Sequence, residues 1–338
     1  MLTLEEFSVT NPTAMAVYKN GNHYVAIYPD GTKIKETIDP AADHFTYDFP
    51  ENFDLKINNR CDGGCPYCHE NSTPTGEVPD LKEFADSKLI ESLHPGTEIA
   101  IGGGNIFESP DLEYFLQKLK SNKIIANITV NQHHVAKNFD SLKHFVDVKL
   151  VHGIGISLTN AYNREDFELI DQLGDNVVIH TINGILEKKD LRALDGRKVL
   201  ILGYKDLRRG HTLLSTPNMS AAGTWGDKIK RNQEWLKRNL DILRKEYFKL
   251  VSFDCLALEQ LNPKEVCHIS DSDWNTLFQG ADTDVRDSED NITCATMYID
   301  LPNKKVARMS TAPLDRREDF ESTETIEELF AKSVKNWS

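Results

Sequence analysis

Residues 60–69 read RCDGGCPYCH, and they follow the apolar, β-favouring run FDLKIN at residues 53–58. The stretch carries three cysteines in the spacing C-x3-C-x2-C, at Cys61, Cys65 and Cys68. Cysteine thiolates are the ligands that soft metals and iron–sulfur clusters select. Three of them within one short loop predict a metal centre placed directly after a β-strand.

Two glycines make the close grouping of these cysteines possible. Gly63 and Gly64 lie between the first two cysteines. A residue without Cβ reaches positive φ at little cost, so the backbone can turn tightly there. Three cysteine ligands leave the fourth iron of a [4Fe–4S] cluster without a protein ligand, and that iron is open to a substrate or a cofactor.

The aromatic residue before the last cysteine, Tyr67, completes a pattern that resembles the signature of the radical S-adenosylmethionine (radical SAM) superfamily. The resemblance extends over residues 52–250. It implies one [4Fe–4S] cluster on the three cysteines, whose open iron chelates S-adenosylmethionine (SAM). It also implies reductive cleavage of SAM to a 5′-deoxyadenosyl radical that abstracts hydrogen from a substrate. The electron would come from an external one-electron reductant of the flavodoxin or ferredoxin type.

Other interpretations of the cysteines remain open at this point. The three residues together with His69 would form a Cys3His zinc site, or they are thiols without a metal. A non-catalytic binding protein stabilised by zinc or by a cluster is therefore the alternative function. The other three cysteines are widely spaced, which favours apolar burial over a second cluster. They are Cys255, Cys267 and Cys294.

Composition bounds the class of protein. The chain has 338 residues, of which 39% are hydrophobic and 27% charged, as is ordinary for a soluble globular protein. It contains no apolar run long enough to span a membrane and no signal-peptide pattern, so a cytoplasmic location is expected. A formal charge of −14 argues against broad electrostatic binding to nucleic acid.

Between residues 53 and 204 the chain alternates β-like runs with helical ones. This order predicts parallel strands joined by right-handed crossovers. Six such units give an α/β fold, and the count resembles the partial (β/α)6 barrel of radical SAM enzymes. The six strands are expected at residues 53–57, 98–101, 124–130, 148–157, 176–182 and 198–202, and the helices between them at 81–93, 110–119, 142–146, 164–173 and 186–194.

The chain is expected to divide into three parts. Residues 1–50 read as an N-terminal β-meander, residues 51–250 as the radical SAM core, and residues 251–338 as a small α+β C-terminal extension. The core ends with a helix at residues 227–247. The extension, which includes the acidic loop 281–290, is expected to act as a lid or substrate region, so a chain ending near Tyr247 should still hold the cluster.

Functional groups in parallel sheets gather at the carboxyl ends of the strands. The glycine-rich tip after the second strand resembles the Gly-Gly-Glu-Pro element of radical SAM enzymes, although Asn105 and Ile106 replace its last two residues. A Cβ at Gly103 is expected to block SAM without disturbing the fold. The resemblance implies SAM contacts at Tyr67, Gly102, Gly103, Gly104, Asn105, Asn131, Ser157, Asn183 and Tyr204.

The substrate is less constrained by the sequence. A peptide or protein side chain is slightly favoured by the acidic charge, and a nucleoside or nucleic-acid base comes next. Four histidines near strand ends are candidates for acid–base roles on the substrate side, although each alone more often serves the structure. They are His133, His134, His152 and His180.

Overall fold

The computed structural model describes residues 2–219, 223–277 and 286–337. The chain begins with a short helix and a three-stranded antiparallel sheet: α1 Leu4–Thr10, β1 Ala16–Asn20, β2 His23–Ile27 and β3 Lys33–Thr37. The sheet is held to the rest of the molecule by a buried carboxylate. Glu51 Oε1 lies 2.7 Å from His23 Nε2, and Glu51 Oε2 lies 3.0 Å from Lys35 Nζ.

The middle of the chain alternates strands with helices, as its apolar runs predict. The strands are β4 Asn52–Asn58, β5 Glu98–Gly103, β6 Ile125–Asn131, β7 Gly153–Ser157, β8 Val177–Ile182, β9 Lys198–Leu202 and β10 Leu250–Phe253. The helices are α2 Leu81–Ala85, α3 Lys88–Glu91, α4 Leu112–Ser121, α5 Phe139–Asp147, α6 Arg164–Asp171, α7 Arg209–Ser215 and α8 Trp225–Ile242. Within the described residues, no helix combines the length and the apolar character that crossing a membrane requires.

The C-terminal part returns to the same sheet. Its elements are α9 Cys255–Leu261, α10 Pro263–Val266, α11 Asp271–Leu277, β11 Thr296–Asp300, β12 Lys305–Ala307, β13 Glu318–Asp319 and α12 Ile326–Val334. The ten strands of the large sheet follow the order β10-β9-β8-β7-β6-β5-β4-β11-β12-β13. The eight strands from β10 to β11 in this order are all parallel. Strands β12 and β13 are added to β11 in antiparallel fashion.

This sheet is wider than the six strands expected from the sequence. The run at residues 250–253 adds β10 beside β9, and the C-terminal hairpin adds β11 beside β4. Pairing of β11 with β4 joins residues more than two hundred positions apart, so no local pattern could predict it. Residues 281–285 of the acidic loop lie outside the described residues. In the remainder of that loop, Arg286 bridges to Ile292.

Two predicted helices differ in detail. Residues 81–93 form two short helices, because Ser87 starts a new one by accepting a hydrogen bond from the Ile90 N–H at 3.4 Å. Residues 186–194 contain a 3-10 helix, Lys188–Ala193. The long helix α8 begins after Thr224, which forms a capping box with Asp227.

The two faces of the large sheet differ in polarity. Along β4, Phe53, Leu55 and Ile57 are buried in the hydrophobic core with the helices. Their neighbours along the strand point to the opposite face, since side chains alternate in a strand. From β4 to β7 that face carries mainly polar or small residues, and in β8 and β9 it carries His180 together with the apolar Val178 and Leu200. The residues of the first group are Asp54, Lys56, Asn58, Ala100, Gly102, Asn127, Thr129, Asn131, Gly153, Gly155 and Ser157.

Candidate functional site

The cysteine loop leaves the carboxyl end of β4 and is fixed to the segment that follows it. Arg60 and Thr73 form a β-bridge, and the Cys61 N–H donates to the Thr73 carbonyl at 2.8 Å. Within the loop, the Cys68 N–H donates to the Cys65 carbonyl at 3.2 Å. Gly64 has a φ of +61°, so one of the two glycines does provide the left-handed turn.

The other glycine of the loop matters because it lacks a Cβ. A Cβ on Gly63 would lie 3.3 Å from Cys61 Sγ and 4.0 Å from Cys65 Sγ. The Cys61 and Cys65 sulfur atoms therefore converge on a space that any other residue would partly fill. A cradle of this kind, formed by thiolates beside bare backbone, fits a [4Fe–4S] cluster.

In the metal-free chain the three cysteines and His69 are not arranged as a Cys3His zinc site. Tetrahedral zinc with Zn–S bonds of about 2.3 Å requires its sulfur ligands to lie about 3.8 Å apart. Among the described residues, the group whose potential ligand atoms all lie within 4.8 Å of one another comprises Cys61, Asp62 and His134, and not the three cysteines. His69 is engaged elsewhere, with Nε2 3.2 Å from Lys205 Nζ and 3.2 Å from Glu70 Oε1.

Burial raises the pKa of the Cys61 and Cys65 thiols. In the metal-free chain the protonated form of both is therefore favoured at neutral pH. A coordinated metal deprotonates a thiol outright. Binding of a cluster at this loop should therefore release protons.

The end of β6 contributes two side chains to the cysteines. Asn131 Nδ2 lies 3.4 Å from Cys65 Sγ, and His134 Nε2 lies 3.5 Å from Cys61 Sγ. The sequence singled out Asn131 as a SAM contact and His134 as a substrate acid or base. The distances place both against cysteines of the loop, a position that the sequence pattern did not indicate.

An arginine from α7 clamps the loop from the other side. The Arg209 guanidinium donates to the Cys65 carbonyl at 3.4 Å, to Asn71 Oδ1 at 3.1 Å and to the Ser72 carbonyl. Three acceptors on one short stretch fix both its path and its distance from α7. Sequence reasoning missed this residue, because Arg209 lies in no motif and is far from the loop along the chain.

A buried charged cluster supports the base of the loop. Lys56 Nζ lies 2.7 Å from Glu70 Oε2 and 3.6 Å from Asp300 Oδ2 of β11. The Tyr298 hydroxyl donates to Glu70 Oε1 at 3.3 Å. Burial would raise the pKa of Glu70, but its contacts with His69 and Lys56 outweigh burial and hold that pKa well below its usual range. The loop therefore ends on a charged anchor that β11 shares.

The glycine-rich tip of β5 lies beside the loop, and its three glycines have different surroundings. A Cβ on Gly102 would meet only Thr129 Cβ, at 3.9 Å. Gly103 has a φ of +122°, and a Cβ there would lie 2.5 Å from the Asn58 carbonyl oxygen. A Cβ on Gly104 would lie 2.2 Å from the Arg60 carbonyl oxygen. The expectation that Gly103 tolerates a side chain is therefore wrong, and Gly102 is the glycine with space in front of it.

Asn105 and Asn183 are both buried side chains. Asn105 caps the 3-10 helix Ile106–Glu108 by accepting from the Phe107 N–H at 3.3 Å. Asn183 donates to Gln260 Oε1 at 3.0 Å, and its own Oδ1 has no hydrogen-bond partner among the described residues. An unsatisfied buried acceptor at a strand end is the kind of group that a bound ligand satisfies.

The remaining predicted contacts are spread along the same edge. Ser157 ends β7, paired in register with Asn131 and His180. Gln260 binds both the N–H and the carbonyl of Tyr204, each at 2.9 Å. Tyr67 packs with Tyr204 in a small hydrophobic cluster beside the loop. Sequence reasoning gave no signal for Gln260, which holds the ends of β8 and β9 together.

Two titratable groups on the polar face have shifted pKa values. The ring of His180 lies against Gly155, where a Cβ would come within 2.2 Å of it. Burial lowers the pKa of His180 to about 4, so the ring is neutral at neutral pH. Desolvation by the surrounding protein likewise raises the pKa of Asp54, although its side chain is exposed on this face. Of the remaining cysteines, Cys267 and Cys294 pack in the main hydrophobic core, and Cys255 begins α9.

Comparison with known proteins addresses the fold. No protein-family model and no curated protein sequence matches the chain. Among solved structures, Streptococcus suis SuiB matches with a TM-score of 0.50 and 13% identity, over 86% of this chain and 67% of SuiB. The native anSMEcpe structure matches with a TM-score of 0.51 and 12% identity, over 84% of this chain and 81% of anSMEcpe. Both are radical SAM enzymes.

The chain has a radical SAM fold. At this level of identity the likeness concerns the fold, with its large parallel-dominated sheet. SuiB has been solved bound to S-adenosylmethionine and, with a TM-score of 0.53, bound to the precursor peptide SuiA. The anSMEcpe structure contains AdoMet and the Cp18Cys peptide. One of these neighbours, anSMEcpe, is thus bound to AdoMet and a peptide in the same structure, and SuiB has been solved with each separately.

Proposed function

We propose that the chain is a radical SAM enzyme that binds one [4Fe–4S] cluster through Cys61, Cys65 and Cys68. The observation that carries the proposal is the convergence of the Cys61 and Cys65 sulfur atoms beside Gly63, at the carboxyl edge of a radical SAM sheet. When bound, the cluster supplies the electron that cleaves SAM to a 5′-deoxyadenosyl radical, and this radical abstracts hydrogen from the substrate.

The strand ends around the loop are the proposed SAM site. The Gly102–Asn105 segment offers bare backbone beside the cysteine loop, and a Cβ on Gly102 would have only Thr129 Cβ within 4 Å. The unsatisfied Oδ1 of Asn183 is a ready acceptor for a ligand hydroxyl or amino group. Ser157, Tyr67 and Tyr204 border the same edge and are kept in the proposal.

The proposed substrate is a peptide or protein side chain. The support is that SuiB and anSMEcpe, which share the fold, bind peptides. The negative charge of this chain also disfavours a nucleic acid. On the polar face, the neutral ring of His180 and the Asp54 carboxyl are the groups available to a polar substrate backbone.

Anaerobic reconstitution tests the proposal against the zinc-binding alternative. The protein is purified, loaded with iron and sulfide, reduced with dithionite and mixed with SAM. We expect a brown protein that releases 5′-deoxyadenosine. A colourless protein that retains zinc and releases none would favour the binding protein. Addition of peptides deuterated throughout should then place deuterium in the 5′-deoxyadenosine, whereas transfer from deuterated nucleosides would overturn the peptide assignment.

A further inference from the structure

The turn that ends β6 presents a side-chain amide N–H and an imidazole nitrogen to two different cysteines. The contacts are Asn131 Nδ2 to Cys65 Sγ at 3.4 Å and His134 Nε2 to Cys61 Sγ at 3.5 Å. Within the described residues, Cys68 Sγ receives no such contact. One short segment thus contacts two of the three proposed cluster ligands, Cys61 and Cys65.

Hydrogen bonds hold residues 131–134 in place and so fix the orientation of the Asn131 and His134 side chains. Asn131 Oδ1 accepts the His133 N–H at 3.0 Å, which fixes the amide plane. Between them, the buried Gln132 donates to Asp166 Oδ2 and to the Asn160 carbonyl, both at 2.9 Å. The His134 side chain is only 3% exposed, and its carbonyl accepts from Asn138 Nδ2 at 2.8 Å. The donors are therefore positioned by the fold.

The proton on His134 can lie on the nitrogen that faces the cysteine. The nearest acidic group, Asp62 Oδ1, lies 3.6 Å from His134 Nδ1. That distance exceeds a direct hydrogen bond, so Asp62 does not require the proton to sit on Nδ1. With the proton on Nε2, His134 donates to Cys61 Sγ.

We propose that Asn131 and His134 set the reduction potential of the cluster, by donating N–H···S hydrogen bonds to Cys65 and Cys61. This inference rests on the proposed function, because it requires the cluster. Reduction moves one electron from a low-potential one-electron donor onto the cluster, which becomes more negative by one charge. Hydrogen bonds to the sulfurs stabilise that added charge and raise the potential. Both residues are positioning groups that act through the cysteines.

Redox titration followed by electron paramagnetic resonance, without SAM, tests the inference. His134→Phe keeps a ring but removes the N–H. Asn131→Ser keeps a capping oxygen but is too short to reach Cys65. We expect each variant to retain about four irons per chain. The equilibrium constant for one-electron reduction should fall about tenfold in each, which corresponds to a potential about 59 mV more negative.

Two further variants make the test specific. His134→Gln replaces the ring with an amide N–H of similar reach, and it should restore most of the wild-type potential. His133→Phe makes the matched change at the neighbouring, exposed position and should leave the potential unchanged.

Iron-loaded His134→Phe and Asn131→Ser proteins with the wild-type potential would overturn the inference. Loss of iron in either donor variant would also overturn it, since the residue would then hold the ligand in place. A wild-type protein that binds no cluster would instead contradict the proposed function.

Discussion

Gly102 is the position of the glycine-rich tip where a side chain should block the cofactor and leave the fold intact. Its Cβ would face the polar side of the sheet, with Thr129 Cβ 3.9 Å away as the nearest atom. We expect Gly102→Val to retain its iron but to bind SAM at least tenfold more weakly, because the side chain fills the space in front of the glycine tip. Equilibrium binding of SAM to the reconstituted protein measures this effect.

The neighbouring glycine provides the control for that prediction. Gly103→Val forces a β-branched residue to a φ of +122° and against the Asn58 carbonyl. We expect this variant to lose stability and iron together, as judged by its melting temperature and iron content. Unchanged SAM affinity in a folded, iron-loaded Gly102→Val protein would show that the tip has no part in cofactor binding.

At the scale of elements, the small N-terminal sheet depends on one buried charge. Burial alone would raise the pKa of Glu51, but the hydrogen bond with His23 and the charges of Lys35 and Lys33 outweigh it and lower the pKa to about 2. A carboxyl group with a depressed pKa stabilises the fold above its unfolded pKa of 4.5. That contribution is lost as the pH falls from 4.5 towards 2.

We therefore expect Glu51→Gln to lower the free energy of unfolding at pH 7 by up to about 3 kcal/mol. The difference from the wild type should shrink as the pH approaches 2, where Glu51 itself becomes protonated. Denaturant unfolding of the metal-free proteins between pH 7 and pH 2.5 measures both. Glu36→Gln, on the exposed side of β3, is the matched control and should have little effect. Equal losses at every pH would contradict the assignment.

The elements that the sequence predicted are those with a local pattern. A few consecutive residues are enough to predict the cysteine loop, the strand at residues 52–58 and the glycine-rich tip. Contacts between distant segments cannot be predicted in this way. Arg209 reaches the cysteine loop across 144 residues to Cys65, and Gln260 reaches Tyr204 across 56. Neither residue belongs to a periodic or spaced pattern, so only the folded chain brings them to the site.

At the scale of the whole molecule, the C-terminal region contributes a strand to the large sheet beside the cysteine loop. Strand β11 pairs with β4, the strand that leads into the cysteine loop. Its Asp300 is fully buried between Lys56 and Arg317, 3.6 Å and 3.4 Å from their nearest nitrogen atoms. The sequence led us to expect that a chain ending near Tyr247 holds the cluster. The pairing of β11 with β4 leads us to predict the opposite outcome.

Removal of residues 248–338 should therefore abolish folding of the core as well as turnover. It exposes an edge of β4 and leaves Lys56 without Asp300. We expect the shortened chain to be insoluble or to retain little iron. Asp300→Asn in the full chain should lower the melting temperature and the iron content, whereas Asp319→Asn, an exposed position of β13, should change neither. A soluble, iron-loaded chain ending at Tyr247 would return the C-terminal region to the role of a lid.

The most direct measurement of the central claim is iron and sulfide per chain after anaerobic reconstitution, in the wild type and in single cysteine variants. We predict about four irons and four sulfides in the wild type. Cys61→Ala, Cys65→Ala and Cys68→Ala should each lose most of both, while Cys294→Ala, changed in the hydrophobic core, should keep them. Full iron and sulfide in any of the three loop variants would contradict the claim that these cysteines hold the cluster.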